Sequence, residues 1–146
     1  MKNAWQDADR NELLARIDRV NDSTNASWGT MTAAAMLAHL AQSMKMAVGE
    51  LPCESKKLPI RYFPLKHLIL YVFPFPKGAP TAPELLEGSD TPVATSKSDL
   101  HRLFAKFTAQ KGSTWPEHPA FGTLNEKQWG MLTYKHLDHH LRQFGV

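Results

Sequence analysis

Hydrophobic residues recur at intervals of three and four positions in four stretches of this chain, the spacing that lines one face of an α-helix. The four predicted helices span residues 9–20, 30–48, 98–111 and 123–144. The predicted N-terminal caps are Asp7 or Asp9 for the first helix, Ser98 for the third, and a capping box of Thr123 with Glu126 for the last. Gly49 is expected to end the second helix.

The segment between the second and third helices has two parts. Residues 64–73 are almost all apolar, and their aromatic and β-branched content leaves the period ambiguous, so a short buried helix is the prediction and a strand the alternative. Residues 74–96 hold five prolines and two glycines, which exclude any regular element longer than a turn or two. A loop of this length in a compact domain is commonly a lid, a binding segment or a disordered insert.

Four helical patterns joined by loops, with no convincing strand alternation, predict an all-α fold. We expect one domain over residues 1–146, an up-and-down four-helix bundle with a short extra helical segment and a long Pro-rich loop. A chain of 146 residues, 42% of them hydrophobic, can bury a core without disulfides or a structural metal ion. A metal ion in this protein is therefore expected to serve function rather than folding.

Charge and composition narrow the classes of partner. The net charge of +3 is small and the basic residues are scattered among acids, so no nucleic-acid partner is expected. The longest apolar stretch, residues 67–73, is far shorter than the roughly 20 residues that span a bilayer, so no membrane partner is expected. The single cysteine, Cys53, and an N-terminus without a signal-peptide pattern indicate a cytoplasmic protein.

Three of the seven histidines lie close together in the last predicted helix. His136 and His140 are four residues apart, so they lie one above the other on one face, close enough to bind one metal ion. They flank an apolar arc that should face the core, whereas His139 lies opposite the centre of that arc and is expected to be exposed. The arc consists of Tyr134, Leu137, Leu141 and Phe144.

A two-histidine site is weak, so a third ligand is needed from another helix. His39 is the best candidate because it lies on the flank of the second helix, and the small Ala35 one turn earlier leaves room for a ring. Three imidazoles would hold a metal ion and leave positions open to water. The alternative is that each ring is an ordinary surface or hydrogen-bonded core histidine, the role expected for His67, His101 and His118. The core face of this second helix carries Met36, Leu40, Met44 and Val48.

Several of these features resemble the DinB/YfiT-like superfamily of metal-dependent enzymes. The resemblance lies in an Ala-rich second helix that contains His39 and in a closing helix with His136, His140 and Gln143. It extends over nearly the whole chain and is closest to a branch of unknown function, which the segments 28–40, 77–81, 118–122 and 135–144 resemble most. Many relatives have Arg directly after the second of these helix histidines, where this chain has Leu141.

The resemblance implies an up-and-down bundle in which His39, His136 and His140 ligate a divalent metal ion. Members of known activity are largely thiol-dependent transferases and an isomerase, so the resemblance also implies chemistry with a low-molecular-weight thiol. On this basis the protein is expected to be a metal-dependent enzyme acting on a small molecule, a transferase or hydrolase, with Zn, Ni or Fe as cofactor.

Further expectations concern the surroundings of the metal ion and the assembly of the protein. Gln143 and Asp138 are expected to support the ligands, and the Pro-rich loop and the turn at residues 118–122 are expected to form pocket walls. Cys53 lies outside the histidine trio, so an external thiol is favoured over a protein nucleophile.

The alternative function is a non-catalytic bundle that binds a ligand or partner and carries a vestigial metal site. Apolar faces on short helices are also consistent with a homodimer.

Overall fold

A computed structural model describes residues 1–78, 83–86 and 88–146 of the chain. Its α-helices are α1 (Asp7–Arg19), α2 (Ala33–Ala47), α3 (Leu65–His67), α4 (Val93–Ala109) and α5 (Glu126–Gln143). A π-helical turn, Leu68–Val72, continues α3, and single 3-10 turns occupy Pro59–Arg61 and Pro83–Leu86. The described residues contain no strand, only an isolated bridge between His118 and Gly122. The prediction of an all-helical fold is confirmed.

The core lies between the four long helices. Helices α1 and α2 each pack against both α4 and α5. Fully buried side chains come from every long helix: Leu13, Ile17, Met36, Leu37, Leu40, Leu100, Leu103, Phe107 and Leu141. The core faces predicted for the second and last helices are confirmed, because all eight of their named residues are buried. The two helices that carry the candidate histidines therefore have a defined orientation.

Helix α2 has well-formed ends. The Thr32 side chain accepts a hydrogen bond from the Ala35 backbone N–H at 3.1 Å, so the helix begins three residues after the predicted Thr30. Gly49 follows the helix with a φ of +80°, a conformation that glycine adopts without strain, and the predicted end is confirmed.

The predicted caps of α1 and α5 are wrong. Gln6 precedes α1 without a side-chain cap, and Asp7 and Asp9 lie in the first turn, where carboxylates are favoured by the helix dipole. At α5 the capping box is formed by Asn125 and Gln128, two residues later than predicted. The two candidate pairs have the same spacing, so spacing alone could not distinguish between them.

Helix α4 begins five residues earlier than predicted. It starts at Val93, directly after Pro92, and Ser98 lies inside it instead of capping it. Val93 and Ser96 are buried and extend the buried face of the helix, so packing supports the additional turn. Proline is compatible with this position because the residues at a helix start need no N–H donor. The Pro-rich loop is correspondingly shorter than expected.

The apolar segment 64–73 is helical, as predicted, but it is not buried. Only Leu70 is buried (1% exposed), whereas Leu65, Val72 and Phe73 are 43%, 59% and 55% exposed. The segment packs through its π-helical turn on α5, so one side of it remains open to solvent. The part of the Pro-rich loop at residues 79–82, which includes Pro80 and the end of the 77–81 segment, lies outside the described residues.

Among the helices of the described ranges, none combines the length and the hydropathy needed to cross a bilayer.

Candidate metal centre

Helices α2 and α5 bring three histidine rings together. His39 Nε2 lies 3.0 Å from His136 Nε2, and the His140 ring centroid is 4.8 Å from that of His39 and 5.0 Å from that of His136. One ring nitrogen from each residue lies within 4.8 Å of the nitrogens of the other two. The predicted convergence of these three side chains is confirmed, and together they could hold a metal ion.

The positions of these rings follow from the helical pattern. Tyr134, Leu137 and Leu141 face the core, which directs the neighbouring strip with His136 and His140 towards α2. His39 is only 2% exposed, while the two rings on α5 are partly buried. The trio therefore lies at the edge of the core, where a bound ion would be shielded on one side and accessible on the other.

A backbone carbonyl determines which nitrogen of His39 faces the trio. His39 Nδ1 lies 3.0 Å from the carbonyl oxygen of Leu85, which can only accept a hydrogen bond. Nδ1 therefore carries the proton, and Nε2 presents a lone pair towards His136. This is the arrangement that metal-ligating histidines usually adopt. The sequence could not indicate the role of Leu85, because every residue has a carbonyl group.

Gln143 performs the same function for His140. Its Nε2 donates to the carbonyl oxygen of Trp28 at 2.8 Å, so its Oε1 must face His140 Nδ1, 3.0 Å away. The Gln143 backbone carbonyl also accepts from Ser27 N at 2.7 Å. His140 Nδ1 is thus the protonated nitrogen and Nε2 is free to bind a metal ion. The hydrogen bond between Gln143 and His140 is the contact that the predicted supporting role of Gln143 requires.

A glycine allows the Ser27–Trp28 loop to approach Gln143 so closely. Gly29 has a φ of +78°, and a Cβ atom built on it would lie 2.7 Å from Gln143 Nε2. A larger residue would suffer both backbone strain and a collision with this amide. The prediction for Asp138 is wrong, because its carboxylate instead pairs with Arg16 at 2.7 Å and with Arg142 at 3.1 Å.

The start of the Pro-rich loop forms a wall beside the histidines, as predicted. The Phe75 ring lies 6.1 Å from the rings of both His136 and His139. Lys77 Nζ lies 4.3 Å from the Trp28 ring, and Trp28 in turn contacts His139 at 6.2 Å. The prediction that His139 is exposed is wrong, because these aromatic residues partly cover it. The cover that these aromatic residues give His139 depends on how the loops fold, and helical periodicity contains no information about loops.

Burial disfavours the positively charged form of all three rings. Burial lowers the pKa of His140 to about 4, with an additional contribution from the charge of His39. Burial also brings the pKa of His136 well below its ordinary value, and it lowers the pKa of His39 against the opposing effect of the Leu85 hydrogen bond. All three imidazoles are therefore neutral near pH 7, and a cation would not compete with protons for them.

A cavity of about 460 Å³ opens beside the start of α2, and none of the three histidines is among its lining residues. Ala35, one turn before His39 on the same face of α2, lines it. So does Leu86, which follows Leu85, the residue whose carbonyl oxygen accepts the hydrogen bond from His39 Nδ1. The other lining residues are Thr30, Met31, Thr32, Ser89 and Asp90. Ser89 and Asp90 were missed by sequence reasoning, because polar loop residues show no periodic signal.

The remaining sequence candidates have other roles. His101 Nε2 lies 2.9 Å from Asp18 at the surface, and His118 bonds to the backbone of its own turn. Cys53 is a free, partly buried thiol whose pKa is raised by burial and by Glu84. A raised pKa keeps a thiol protonated and weakly nucleophilic, which agrees with the expectation that Cys53 is not the reacting group.

Comparison with known proteins identifies the family of the chain. Residues 4–145 match the profile of the family described as Protein of unknown function (DUF1569), and the chain belongs to this family. The prediction of DinB/YfiT-like membership was wrong, because the matching family is DUF1569. The motifs behind that prediction were short, and two histidines four residues apart on a helix can occur in unrelated proteins. No curated protein and no solved structure matched the chain.

Proposed function

We propose that this protein is a metal-dependent enzyme acting on a small molecule, and that His39, His136 and His140 together bind one divalent metal ion, each through its Nε2. The observation that carries the proposal is the approach of three ring nitrogens to within 4.8 Å of one another. Two of the rings are also held by Nδ1 hydrogen bonds that leave Nε2 available. Three protein ligands are typical of catalytic sites, which keep a position open for water or substrate.

The three nitrogen donors restrict which metal ions can bind at this site and what chemistry a bound ion could supply. Three imidazole nitrogens suit Zn, Ni or Fe, whereas Mg and Ca prefer oxygen ligands. Because neutral ligands leave the double positive charge of the ion uncompensated, a bound water would have a pKa of about 7, or a bound thiol would be held as thiolate. The expectation of a thiol cosubstrate came from the withdrawn family resemblance. Water is therefore the first nucleophile to test and an added low-molecular-weight thiol the second.

The cavity beside α2 suggests the class of substrate. Thr30, Ser89 and Asp90 offer hydroxyl and carboxylate groups, while Met31 and Leu86 supply apolar contacts. A carboxylate attracts amino or hydroxyl groups and repels anions. We therefore expect a polar substrate that is neutral or positively charged. Leu85 and Gln143 act as positioning groups that keep the ligand rings in place during turnover.

Two further proposals concern the arrangement of the helices and the cellular location of the protein. The packing of α1 and α2 against both α4 and α5 supports an up-and-down four-helix bundle, which an experimental structure would test. A cytoplasmic location stays a prediction based on the single cysteine, and cell fractionation would test it.

Metal analysis of the untagged protein tests the site. We expect one equivalent of Zn, Ni or Fe per chain after gel filtration, and its loss in His39→Ala and His136→Ala. His101→Ala is the matched control, because this histidine lies at the surface beside Asp18, outside the trio. Equal metal content in the site variants and the control would refute the trio as a metal site.

Activity assays then test the hypothesis that the protein is an enzyme. A panel of neutral and cationic esters and amides, with and without an added thiol, should contain a substrate whose turnover stops after chelation and recovers when metal is returned. If the metal is retained but no compound in the panel is turned over, and His39→Ala leaves ligand binding unchanged, the non-catalytic alternative is favoured.

A further inference from the structure

The segment from Ser55 to Pro83 has an unusual charge pattern. Between Glu54 and Glu84 the chain contains no acidic residue. The same stretch contains five basic residues, Lys56, Lys57, Arg61, Lys66 and Lys77. The remainder of the chain carries all 14 acidic residues, so the weak overall charge conceals a strongly basic region.

Exposed apolar side chains concentrate in the same region. Six of the eight large hydrophobic side chains that are exposed in the described part of the chain lie between residues 58 and 73. They are Leu58, Tyr62, Phe63, Leu65, Val72 and Phe73, and Phe63 is 84% exposed. Single exposed apolar residues are normal, but several in one short segment indicate an interaction surface.

This segment is held in a defined shape. Its backbone is wound by hydrogen bonds from Lys66 N to Tyr62 O at 2.9 Å and from Phe73 N to Leu68 O at 2.9 Å. Leu70 is its buried anchor in the core. Lys135 Nζ on α5 donates to the carbonyl oxygens of Ile69 and Phe73. The exposed apolar residues therefore project from a fixed support.

A neighbouring cleft extends the apolar surface. The side chains of Met1, Val72 and Phe73 line a cavity of about 360 Å³, together with Tyr71, Pro74 and Tyr134. Met1 is 79% exposed. Lys2, Lys135 and Asp138 also line this cavity, so charged and apolar groups occur side by side there.

We propose that residues 56–77 form a peripheral docking surface for an anionic lipid bilayer. Tyr62, Phe63 and Phe73 enter the interfacial region, where aromatic rings are favoured. Lys56 and Lys57 are exposed and face the lipid phosphates, with their aliphatic stems along the apolar layer. Interfacial segments of this kind lie in the plane of the membrane surface and need no spanning helix. The expectation of no membrane partner considered only spanning segments.

Charge argues against other occupants of this surface. In a symmetric contact with a second copy, the same basic residues would meet across the interface and repel one another. Arg61 is paired with Glu117 at 3.2 Å and Lys66 donates to the Thr123 carbonyl, so Lys56 and Lys57 supply the exposed charge at the start of the segment. Acidic lipid headgroups complement them, and hydrocarbon complements the apolar residues.

Flotation of the full chain with lipid vesicles tests this inference, which does not depend on the proposed metal centre. We expect the protein to float with vesicles of phosphatidylcholine containing about one third phosphatidylserine, and to remain below vesicles of phosphatidylcholine alone. Raising the salt concentration should weaken the binding because it screens the lysines. Failure of the wild-type chain to float with the anionic vesicles at low salt would overturn the proposal.

Variants separate the two components of binding. Lys56→Ser/Lys57→Ser should weaken binding by on the order of tenfold. The control Arg19→Ser/Lys111→Ser removes the same charge from exposed positions outside the segment and should leave binding nearly unchanged. Equal losses in the two double variants would show that only overall charge matters and would overturn a defined docking surface.

The apolar component is tested at Phe63, which is too exposed to affect folding greatly. Phe63→Ser should reduce binding roughly tenfold, whereas Phe63→Trp should retain it. Unchanged binding of Phe63→Ser would contradict insertion. A wild-type dimer that does not bind vesicles, and that Phe63→Ser converts to a monomer, would assign this surface to a second copy and overturn the proposal.

Discussion

The histidine trio and His118 are both largely removed from water, but their hydrogen bonds differ. His118 Nδ1 accepts from the backbone N–H groups of Ala120 at 3.1 Å and Phe121 at 3.2 Å, so its proton lies on Nε2. In His39 and His140, Nδ1 instead faces an oxygen acceptor and Nε2 is left with a lone pair.

This difference shows that a lowered pKa does not by itself identify a ligand. Burial lowers the pKa of both His118 and His140 to about 4. Position and tautomer distinguish them. A ring nitrogen of His140 lies within 4.8 Å of nitrogens of the other two histidines of the trio, whereas among the described residues His118 belongs to no such group. The Nε2 of His118 carries the proton because its Nδ1 accepts hydrogen bonds within the turn. His118 instead stabilises the turn at residues 118–122, and its ring packs 5.1 Å from Phe121 and 5.5 Å from Trp129.

The same substitution at the two places gives the sharpest test of this comparison. His136→Asn should weaken metal binding by more than about a hundredfold, because it removes one of the three proposed ligands. His118→Asn should retain one equivalent of metal and lower the free energy of unfolding by about 1–2 kcal/mol, since it loses ring packing but keeps an oxygen acceptor for the turn. Metal titration and chemical denaturation measure the two effects, and loss of metal from both variants would contradict the distinction.

Removing the acceptor of His140 should have the next largest effect. Gln143→Leu keeps the size of the side chain but leaves His140 Nδ1 and the Trp28 carbonyl without this partner. We expect metal affinity to fall by about 10- to 100-fold with little change in stoichiometry at saturation. The matched control is Gln110→Leu, which also removes a hydrogen bond to a backbone carbonyl, that of Val48. A similar affinity in both variants would show that Gln143 does not orient the ligand.

The pH dependence of stability involves both regions. Burial lowers the folded-state pKa of His118 and His140 to about 4, below the unfolded value of about 6.5. Between these values the unfolded chain binds more protons, so the free energy of unfolding of the metal-free protein should fall as the pH decreases from about 6.5 to 4. His140→Asn should make this decrease shallower by about 1–3 kcal/mol. Denaturation midpoints of the two proteins across this range measure the effect, and the same pH dependence in both would show that the His140 ring is freely protonated in the folded state.

A substitution in the loop that supports Gln143 should have the smallest effect. Gly29→Ala strains a backbone with a φ of +78° and also brings a Cβ against Gln143 Nε2, so it should destabilise the protein by about 1–2 kcal/mol and weaken metal binding several-fold. Gly112→Ala has a similar φ of +84° but no heavy atom within 4 Å of its Cβ, so it should affect stability alone. Equal metal affinity in the two variants would show that the loop at Gly29 does not influence the metal site.

Whether a prediction from the sequence was correct depended on the physical signal behind it. The orientation of α2 and α5, and with it the meeting of His39, His136 and His140, followed from helical periodicity and core burial. The errors at Ser98, at the Thr123 cap and in the exposure of His139 concern helix ends and loop coverage. At those places the local signals were nearly equal for competing choices, and packing elsewhere decided between them.

The amino-acid sequence by itself determined that the chain is helical and which faces of two helices carry imidazoles, because the 3.6-residue period places side chains on faces without reference to the remainder of the molecule. Only the tertiary structure decided which nitrogen of each ring is free. That choice depends on the Leu85 and Trp28 carbonyl groups and on backbone N–H groups near His118, which are chemically identical in every residue and acquire a role only through their position. The exposure of the 58–73 segment was likewise decided by packing, because its π-helical turn packs on α5 while Leu65, Val72 and Phe73 stay exposed to solvent.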